Sequence, residues 1–271
     1  MPELPEVETL RRYLEQTSLH QKINGFTTED PKRQLALPPE ELHEEIMGRQ
    51  MVSTTRIGKH LLVALDNGKV ISLHFGMTGD LHYYRIPEDA PRFERATFYF
   101  DSGFKLAFVD SRKFGRIGLW DSEEAYIKAK ALGPDALEIS ADVLQKGLQK
   151  RKSPIKPVLL DQKLLAGIGN WLVDEILYQA GIHPETIAGE LTSSQLQNLV
   201  NAMQEVLKTA IDKEAVYREL PATFLIHARE WDTSPHPEEN THKHCYRCQT
   251  EILKTTVGGR ATYFCPSCQV K

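Results

Sequence analysis

The four cysteines of this 271-residue chain lie together near its C-terminus, as Cys245-x2-Cys248 and Cys265-x2-Cys268 with sixteen residues between the pairs. Two thiolates three positions apart can grip one metal ion from a tight turn, and two such turns on facing hairpins complete a tetrahedron. The pattern predicts a C-terminal zinc ribbon that holds one structural Zn²⁺. A disulfide pair is the weaker alternative in a chain expected to be cytoplasmic. His242 and His244 read as bystanders, since four sulfurs already close the coordination shell.

A chain of this length exceeds the usual single domain of about 100–150 residues, so two compact units plus a small appendage are expected. Its hydrophobic content of 41% is sufficient for buried cores. No apolar run approaches the roughly 20 residues that cross a bilayer, and the N-terminus Met1–Leu10 carries glutamates where a secretory signal needs basic and apolar residues. The net charge of −4 argues against a nucleic-acid partner only if charge is evenly spread. It is not. Lys146, Lys150, Arg151, Lys152, Lys156 and Lys163 face Asp161 alone within 145–163, and the C-terminal segment is likewise basic, whereas Glu40, Glu41, Glu44 and Glu45 gather elsewhere. Basic stripes on a bipolar surface are compatible with DNA, and equally with ordinary solvated charge.

Val7, Leu10 and Leu14 share one face of a predicted helix over 5–17. From about 50 to 120 the texture becomes strand-like, with runs at Leu61–Leu65, Lys69–Phe75, Ala96–Phe100, Lys105–Val109 and Arg116–Trp120. Turn signals at Asp66-Asn67-Gly68 and Asp101-Ser102-Gly103 separate them, the spacing of an antiparallel sandwich or barrel. A joining segment runs through Leu132–Asp135. Beyond it the pattern turns helical. Thr192-x-x-Gln195 is a capping box ahead of Leu196, Leu199, Val200, Met203, Val206, Leu207 and Ala210. Val158–Leu165 and Leu172–Gln179 flank a glycine-rich turn at Ala166–Asn170, a way to offer backbone N–H groups to an anion. Asp232–His244 reads as a loop or mobile linker.

The N-terminus reads Met1-Pro2-Glu3-Leu4-Pro5-Glu6. Removal of Met1 would expose Pro2 as a secondary amine, a good nucleophile toward a sugar C1′ because the product is an electron-withdrawing iminium. Glu3 is placed to protonate the sugar ring oxygen as it departs. Pro and Glu are also favoured at any helix start, so the hexapeptide alone allows an ordinary N-terminus.

Together, the N-terminal Met1–Arg12, the Asn170 turn and the terminal zinc ribbon resemble the formamidopyrimidine-DNA glycosylase family, which includes endonuclease VIII-like enzymes; the likeness is to its bacterial formamidopyrimidine-DNA glycosylase branch. It spans nearly the whole chain. It implies an α+β multidomain fold: an N-terminal β-sandwich with flanking helices over 1–135, a helix-two-turns-helix domain over 136–240 and a zinc finger over 241–271, with DNA in a basic cleft between the domains. By resemblance Pro2 is the Schiff-base nucleophile, Glu3 the general acid and Glu6 a second active-site carboxylate. Lys59 matches a lysine that assists β-elimination and contacts phosphate; read alone, it could be an exposed strand-edge lysine. Arg260 matches a finger arginine that grips phosphates and is linked to δ-elimination.

Extracting a base costs a few kcal/mol of stacking, which side chains offset by filling the vacated space. His74–Gly79 and Asp110–Gly115 resemble the two family loops that do so. Met77 would fill the gap, Phe114 would wedge between base pairs and Arg112 would face the orphaned base. Read alone, Met77 and Phe114 could equally be core. Lys152, Asn170 and His74 match phosphate contacts. The chain departs from the family after its long helix, where Asp212–Pro221 replaces a Ser-Gly-Gly-Thr-Thr-like loop and Phe224–Trp231 is also altered. Phe93 stands where a DNA-contacting His is common, with Arg95 as a substitute. These departures predict that 8-oxoguanine is not the best substrate.

The resemblance therefore implies a bifunctional glycosylase and abasic-site lyase that removes oxidised or ring-opened bases from double-stranded DNA as a cytoplasmic, nucleoid-associated monomer, with no organic cofactor. The alternatives are a catalytically silent damaged-DNA-binding module of the same fold, and a zinc-ribbon protein for protein or RNA partners.

Overall fold

The computed structural model describes residues 1–85, 90–229 and 243–271. His242, most of the Asp232–His244 stretch, residues 230 and 231 of the altered segment, and the boundary expected at 240/241 lie outside the described residues. Two compact units are present, Met1–Ala131 and Leu132–Lys271.

The first unit begins with α1 (Leu4–Ser18), whose start is a capping box: the Glu3 side chain accepts from the third helical N–H, and the Glu6 carboxylate accepts from the Glu3 backbone N–H at 3.1 Å. These bonds satisfy donors that a helix N-terminus otherwise leaves open. Val7 and Leu14 are fully buried and Leu10 packs beside them, the face read from the sequence.

Next come β1 (Ile23–Thr28), α2 (Pro31–Gln34), α3 (Pro39–Ile46), β2 (Met51–Ile57), β3 (His60–Leu65), β4 (Val70–His74), β5 (Gly79–Arg85), β6 (Glu94–Phe100), β7 (Phe104–Asp110) and β8 (Arg116–Trp120). They form two antiparallel four-stranded sheets, ordered β1-β6-β7-β5 and β2-β3-β4-β8. Leu61, Val63, Ile71, Leu73 and Ile117 from one sheet share a core with Ile23, Phe98, Phe100, Leu106 and Phe108 from the other. Each such side chain contributes about 1.5–3 kcal/mol on burial. This is the expected sandwich. Helix α4 (Glu123–Lys130) follows, N-capped by Ser122 and ended by Ala131 at φ +50°.

The second unit holds α5 (Ala141–Leu148), α6 (Ile155–Leu159), α7 (Asn170–Ala180) and α8 (Ser193–Asp212), then 3₁₀ turns at Tyr217–Glu219 and Leu225–Ala228 and the hairpin of β9 (Leu253–Val257) and β10 (Arg260–Phe264). The Thr192–Gln195 capping box is formed. The run Val158–Leu165 differs from its reading: α6 ends at Leu159 and two turns follow. Gln162 explains the break, because its amide donates to the carbonyls of Leu160 and Ile168, both at 2.9 Å, and accepts from Gly167 N–H at 3.0 Å. One side chain thus supplies the bonds that a continued helix would have supplied. Among the described residues no helix is long and apolar enough to cross a membrane.

Candidate functional site

Pro2 is half-buried, and Glu3 directly after it is only 3% exposed. Their helix is clamped to β2. Arg56 reaches Glu8 at 3.2 Å, Arg11 bonds Thr54 at 3.2 Å, and Thr54 donates to Glu15 at 2.7 Å. Burial alone would raise the Glu8 carboxyl, but the guanidinium groups of Arg11, Arg56 and Arg12 outweigh it and hold it below the usual carboxylate range. Arg56 also donates to the Gly58 carbonyl at 3.1 Å and so shapes the two-residue turn between β2 and β3. Gly58 there has φ +57°, the left-handed conformation that such hairpin turns require and glycine adopts without a Cβ penalty. The other turn residue is Lys59. It is 8% exposed, which excludes the exposed strand-edge alternative.

The loops His74–Gly79 and Asp110–Gly115 are joined through Asp110, to which the sequence assigns no role of its own. It is 1% exposed and accepts from Thr78 Oγ1 at 2.5 Å, Arg112 N–H at 3.0 Å and Gly115 N–H at 2.7 Å. Burial pushes its carboxyl up, and these bonds more than reverse that, leaving it below the ordinary value. At Gly76 a Cβ would sit 2.6 Å from the Phe114 carbonyl carbon, so the loops touch backbone to backbone. What they present outward is apolar: Met77 is 39% and Phe114 50% exposed, with the Arg112 guanidinium 5.3 Å from the Phe114 ring. The core alternative for both residues fails. Phe93, at φ +66° and 39% exposed, lies between Arg92 and Arg95, at 4.5 and 5.5 Å. Arg95 also donates to the Asp110 carbonyl at 2.8 Å and pairs with Glu29 at 2.6 Å.

In the second unit Lys152 is exposed, as are Lys146, Lys150, Arg151 and Lys163. Lys156 is not. Counted in the basic run, it is fully buried and bonds Asp174 at 2.7 Å, Thr262 Oγ1 at 2.8 Å and the Ala261 carbonyl at 2.8 Å. Asn170 opens α7 and donates to the same carbonyl at 3.1 Å. Arg260, the residue before it, is exposed beside the turn Gly258-Gly259, whose φ values are +58° and +74°. A Cβ at Gly258 would lie 2.7 Å from Pro157, so the hairpin tip rests on α6.

The four cysteines converge, with all Sγ atoms within 4.8 Å of one another. Sγ separations of 3.4 Å (Cys248–Cys265), 3.5 Å (Cys248–Cys268) and 3.8 Å (Cys245–Cys268) are too long for disulfides. They match the edge of a tetrahedron with Zn–S bonds of about 2.3 Å. The quartet fits one structural zinc ion, and His244 stands exposed outside it.

Altered residues after α8 also take definite form. Glu214 and Ala215 adopt φ +51° and +56°. The backbone N–H groups of Leu225 and Ile226 donate to Glu175 at 3.1 and 3.0 Å. Complete burial pushes the Glu175 carboxyl up to about 7 in spite of those bonds.

A zinc-finger protein with a sandwich unit, a helix-two-turns-helix and two touching loops that expose Met77 and Phe114 is the class that fold and site define. The sequence model of the formamidopyrimidine-DNA glycosylase N-terminal domain matches residues 1–117, and that of the H2TH domain of the same enzyme matches 132–219. A formamidopyrimidine-DNA glycosylase of Chloroflexus aggregans is 39% identical over 100% of this chain and 99% of its own length. One from Streptococcus pneumoniae strain R6 is 37% identical over 99% of each. The crystal structure of the Lactococcus lactis enzyme bound non-covalently to DNA with an abasic site superposes with a TM-score of 0.86 at 32% identity, covering 100% of both chains. The chain belongs to the formamidopyrimidine-DNA glycosylase family.

Proposed function

We propose that the protein is a base-excision repair enzyme that removes oxidised or ring-opened bases from double-stranded DNA and then cleaves the strand as an abasic-site lyase. The observation that carries this reading is a buried carboxylate, Glu3, fixed by its capping box directly after Pro2. Relatives in this family have been crystallised on DNA carrying an abasic site or a ring-opened guanine.

Once Met1 is removed, the Pro2 nitrogen attacks C1′ of the damaged nucleotide. The C1′–base bond breaks, a C1′–N bond forms, and Glu3 protonates the ring oxygen as the sugar opens. The resulting iminium withdraws electrons, so loss of a C2′ proton expels the 3′-phosphate. Lys59, at its buried turn, assists that elimination, and Glu6 holds Glu3 in place through its backbone N–H. Met77 and Phe114 fill the space of the extruded base, Arg112 faces the orphaned partner, and His74, Lys152, Asn170 and Arg260 hold phosphates. Zinc is structural here: bound by Cys245, Cys248, Cys265 and Cys268, it would fix the hairpin that carries Arg260. The altered residues from Asp212 onward shift lesion preference away from 8-oxoguanine. A monomer near the nucleoid suffices for this chemistry.

Borohydride trapping of the tag-free protein on duplexes with different lesions tests the reading. A covalent complex that disappears in Pro2→Gly, and whose formation from intact lesions collapses in Glu3→Gln, is expected. Salt-sensitive DNA binding with no complex on any lesion would make the protein a silent damage-binding module. Excision of 8-oxoguanine as fast as of formamidopyrimidines would overturn the lesion preference.

A further inference from the structure

On the face of the β2-β3-β4-β8 sheet turned away from the sandwich core, three basic residues stand in one cross-strand row. His60 pairs in register with His74, and His74 with Arg116, while Leu61, Leu73 and Ile117 point into the core. Helix α4 covers the row with Tyr126 and Lys130. Between them is a cavity of about 210 Å³, also lined by Ser72, Gly118 and Trp120. A Cβ at Gly118 would lie 2.9 Å from both Ser72 Oγ and Trp120 Nε1, so glycine keeps this wall open.

Hydrogen bonds constrain what the imidazoles offer. Trp120 Nε1 donates to Ser72 Oγ at 3.0 Å, Ser72 bonds Tyr126, and the Tyr126 hydroxyl is 2.6 Å from His60 Nδ1. Burial raises the Tyr126 phenol, so it keeps its proton, and its bond with His60 runs in either direction according to the imidazole tautomer. The His74 Nδ1 accepts from Gly76 N–H at 3.3 Å. Neutral His74 is therefore left with Nε2–H as a donor, and His60 offers the same donor in its Nε2–H tautomer. The rings lie 4.8 Å apart.

The charged side chains lining the cavity are both cationic. Arg116 donates to the backbone carbonyls of Gly115 and Lys113, at 2.8 and 3.4 Å, and Lys130 faces the rings of Trp120 and Tyr126 at 5.8 and 5.9 Å. Among the described residues neither has a carboxylate partner. Burial comes first and the surrounding cations second in depressing both histidines: each feels Lys59 and Lys130, His60 also feels His74, and His74 also feels Arg116. His60 is held at about 3 and His74 at about 4. Cations without a counter-charge, beside two imidazole donors in a recess, form a receptor for an anion.

We propose that this cavity binds a phosphate-class dianion through the Nε2–H groups of His60 and His74 and the charges of Arg116 and Lys130. Its source is either free inorganic phosphate or the terminal phosphate of a nucleic-acid strand. Of the four groups His74 is also among the DNA contacts proposed above, whereas His60, Arg116 and Lys130 are not, and binding of inorganic phosphate requires no lyase chemistry. The row also sits at the roots of the Lys59 turn and of both wedge loops, so occupancy would be felt where the base is extracted.

The test is NMR of the histidine side chains in the full-length zinc-loaded protein. Inorganic phosphate should shift the His60 and His74 ring signals saturably, where chloride at equal ionic strength does not. It should also draw both pKa values up toward the ordinary histidine value. Sulfate, dianionic throughout, should bind more tightly at about pH 5 than at about pH 8 as the rings take up protons. Arg116→Gln with Lys130→Gln should weaken phosphate binding about tenfold or more. Both residues are exposed, and Lys130→Gln alone provides a second variant on a helix surface should the pair disturb the fold. Shifts from a 5′-phosphorylated oligonucleotide without shifts from inorganic phosphate would assign the strand end; shifts from inorganic phosphate would assign the free ion. No saturable shift with either, equal shifts from the unphosphorylated strand, or unchanged binding in the substituted proteins would overturn the site.

Discussion

The Lys156 ammonium lies 2.7 Å from the Asp174 carboxylate, and neither side chain reaches solvent. The pair joins three elements of the second unit. Lys156 comes from α6 and Asp174 from α7, and both bond β10: Lys156 at Ala261 and Thr262, Asp174 at the Tyr263 N–H, 3.2 Å away. Removing Lys156 leaves the buried Asp174 carboxylate with Arg229 alone, at 3.5 Å, which costs up to about 3–5 kcal/mol. Lys156→Met is therefore expected to lose that much unfolding free energy in urea titrations. Hydrogen exchange should show the Tyr263 amide losing protection first. The double variant with Asp174→Leu should recover only part of the loss, because it also removes a carboxylate partner of Arg229 and the acceptor of the Tyr263 N–H.

Lys156 also marks where the sequence stops being legible. Within a run of lysines and arginines nothing distinguishes it from its exposed neighbours, since its carboxylate partner lies on another helix. The features that could be read were those with local rules: the face of α1, the capping box before α8, the cysteine spacing and strands with apolar alternation. Strand β1 escaped notice because a single residue of Ile23–Thr28, Ile23, is deeply buried. Strand β2 escaped because its polar Thr54 and Arg56 are satisfied by Glu15 and Glu8 of α1. At the candidate site the chain positions that the family shares are legible in the sequence, whereas the role of Asp110 is not. Its partners come from two loops that meet only in the folded chain.

Asp110 supplies a second prediction. Asp110→Ala would remove the acceptor of three donors, two of them backbone N–H groups in the Phe114 loop. An unsatisfied buried donor costs about 1–3 kcal/mol, and here the loss falls on the geometry of Met77 and Phe114. Excision from a lesion, which needs the base extracted, should fall about tenfold or more, while cleavage at a preformed abasic site falls less. Single-turnover rates on the two substrates measure the split. Equal losses on both would mean that the carboxylate does not act through the wedge.

Ala215 offers a stabilising change. A non-glycine residue in the left-handed region costs roughly 1–2 kcal/mol, and Glu214 and Ala215 occupy it in succession at the end of α8. Ala215→Gly removes the Cβ penalty but adds freedom to the unfolded chain, which returns part of the gain. The expected net effect is about 0.5–1 kcal/mol of added stability, read as a higher urea midpoint at unchanged slope. A lower midpoint would show that the Ala215 methyl packs against something worth more than the strain.

The buried ionisable groups set opposing pH dependences that can be separated. His60 and His74 titrate near 6.5 when unfolded, and at about 3 and about 4 in the folded chain. Between those values the unfolded state holds more protons. The stability they contribute is therefore complete above about 6.5 and is lost as pH falls toward 4, at about 1.4 kcal/mol per pH unit for each proton. Glu175 runs the other way. Its folded value is raised from 4.5 to about 7, so its contribution is complete below 4.5 and is lost as pH rises through 7. Between about 4.5 and about 6.5 Glu175, joined by Asp174, whose carboxyl burial also pushes up, is opposed by two histidines that lose stability on acidification. His183, which burial also holds below its ordinary value, adds in the same sense. Glu175→Gln removes one opposing group, so its unfolding free energy should fall more steeply on acidification than that of the unsubstituted protein, by about 1.4 kcal/mol per pH unit over that window. Urea titrations at three or four pH values give both slopes. A slope in Glu175→Gln no steeper than that of the unsubstituted protein would mean that Glu175 is ionised in the folded protein.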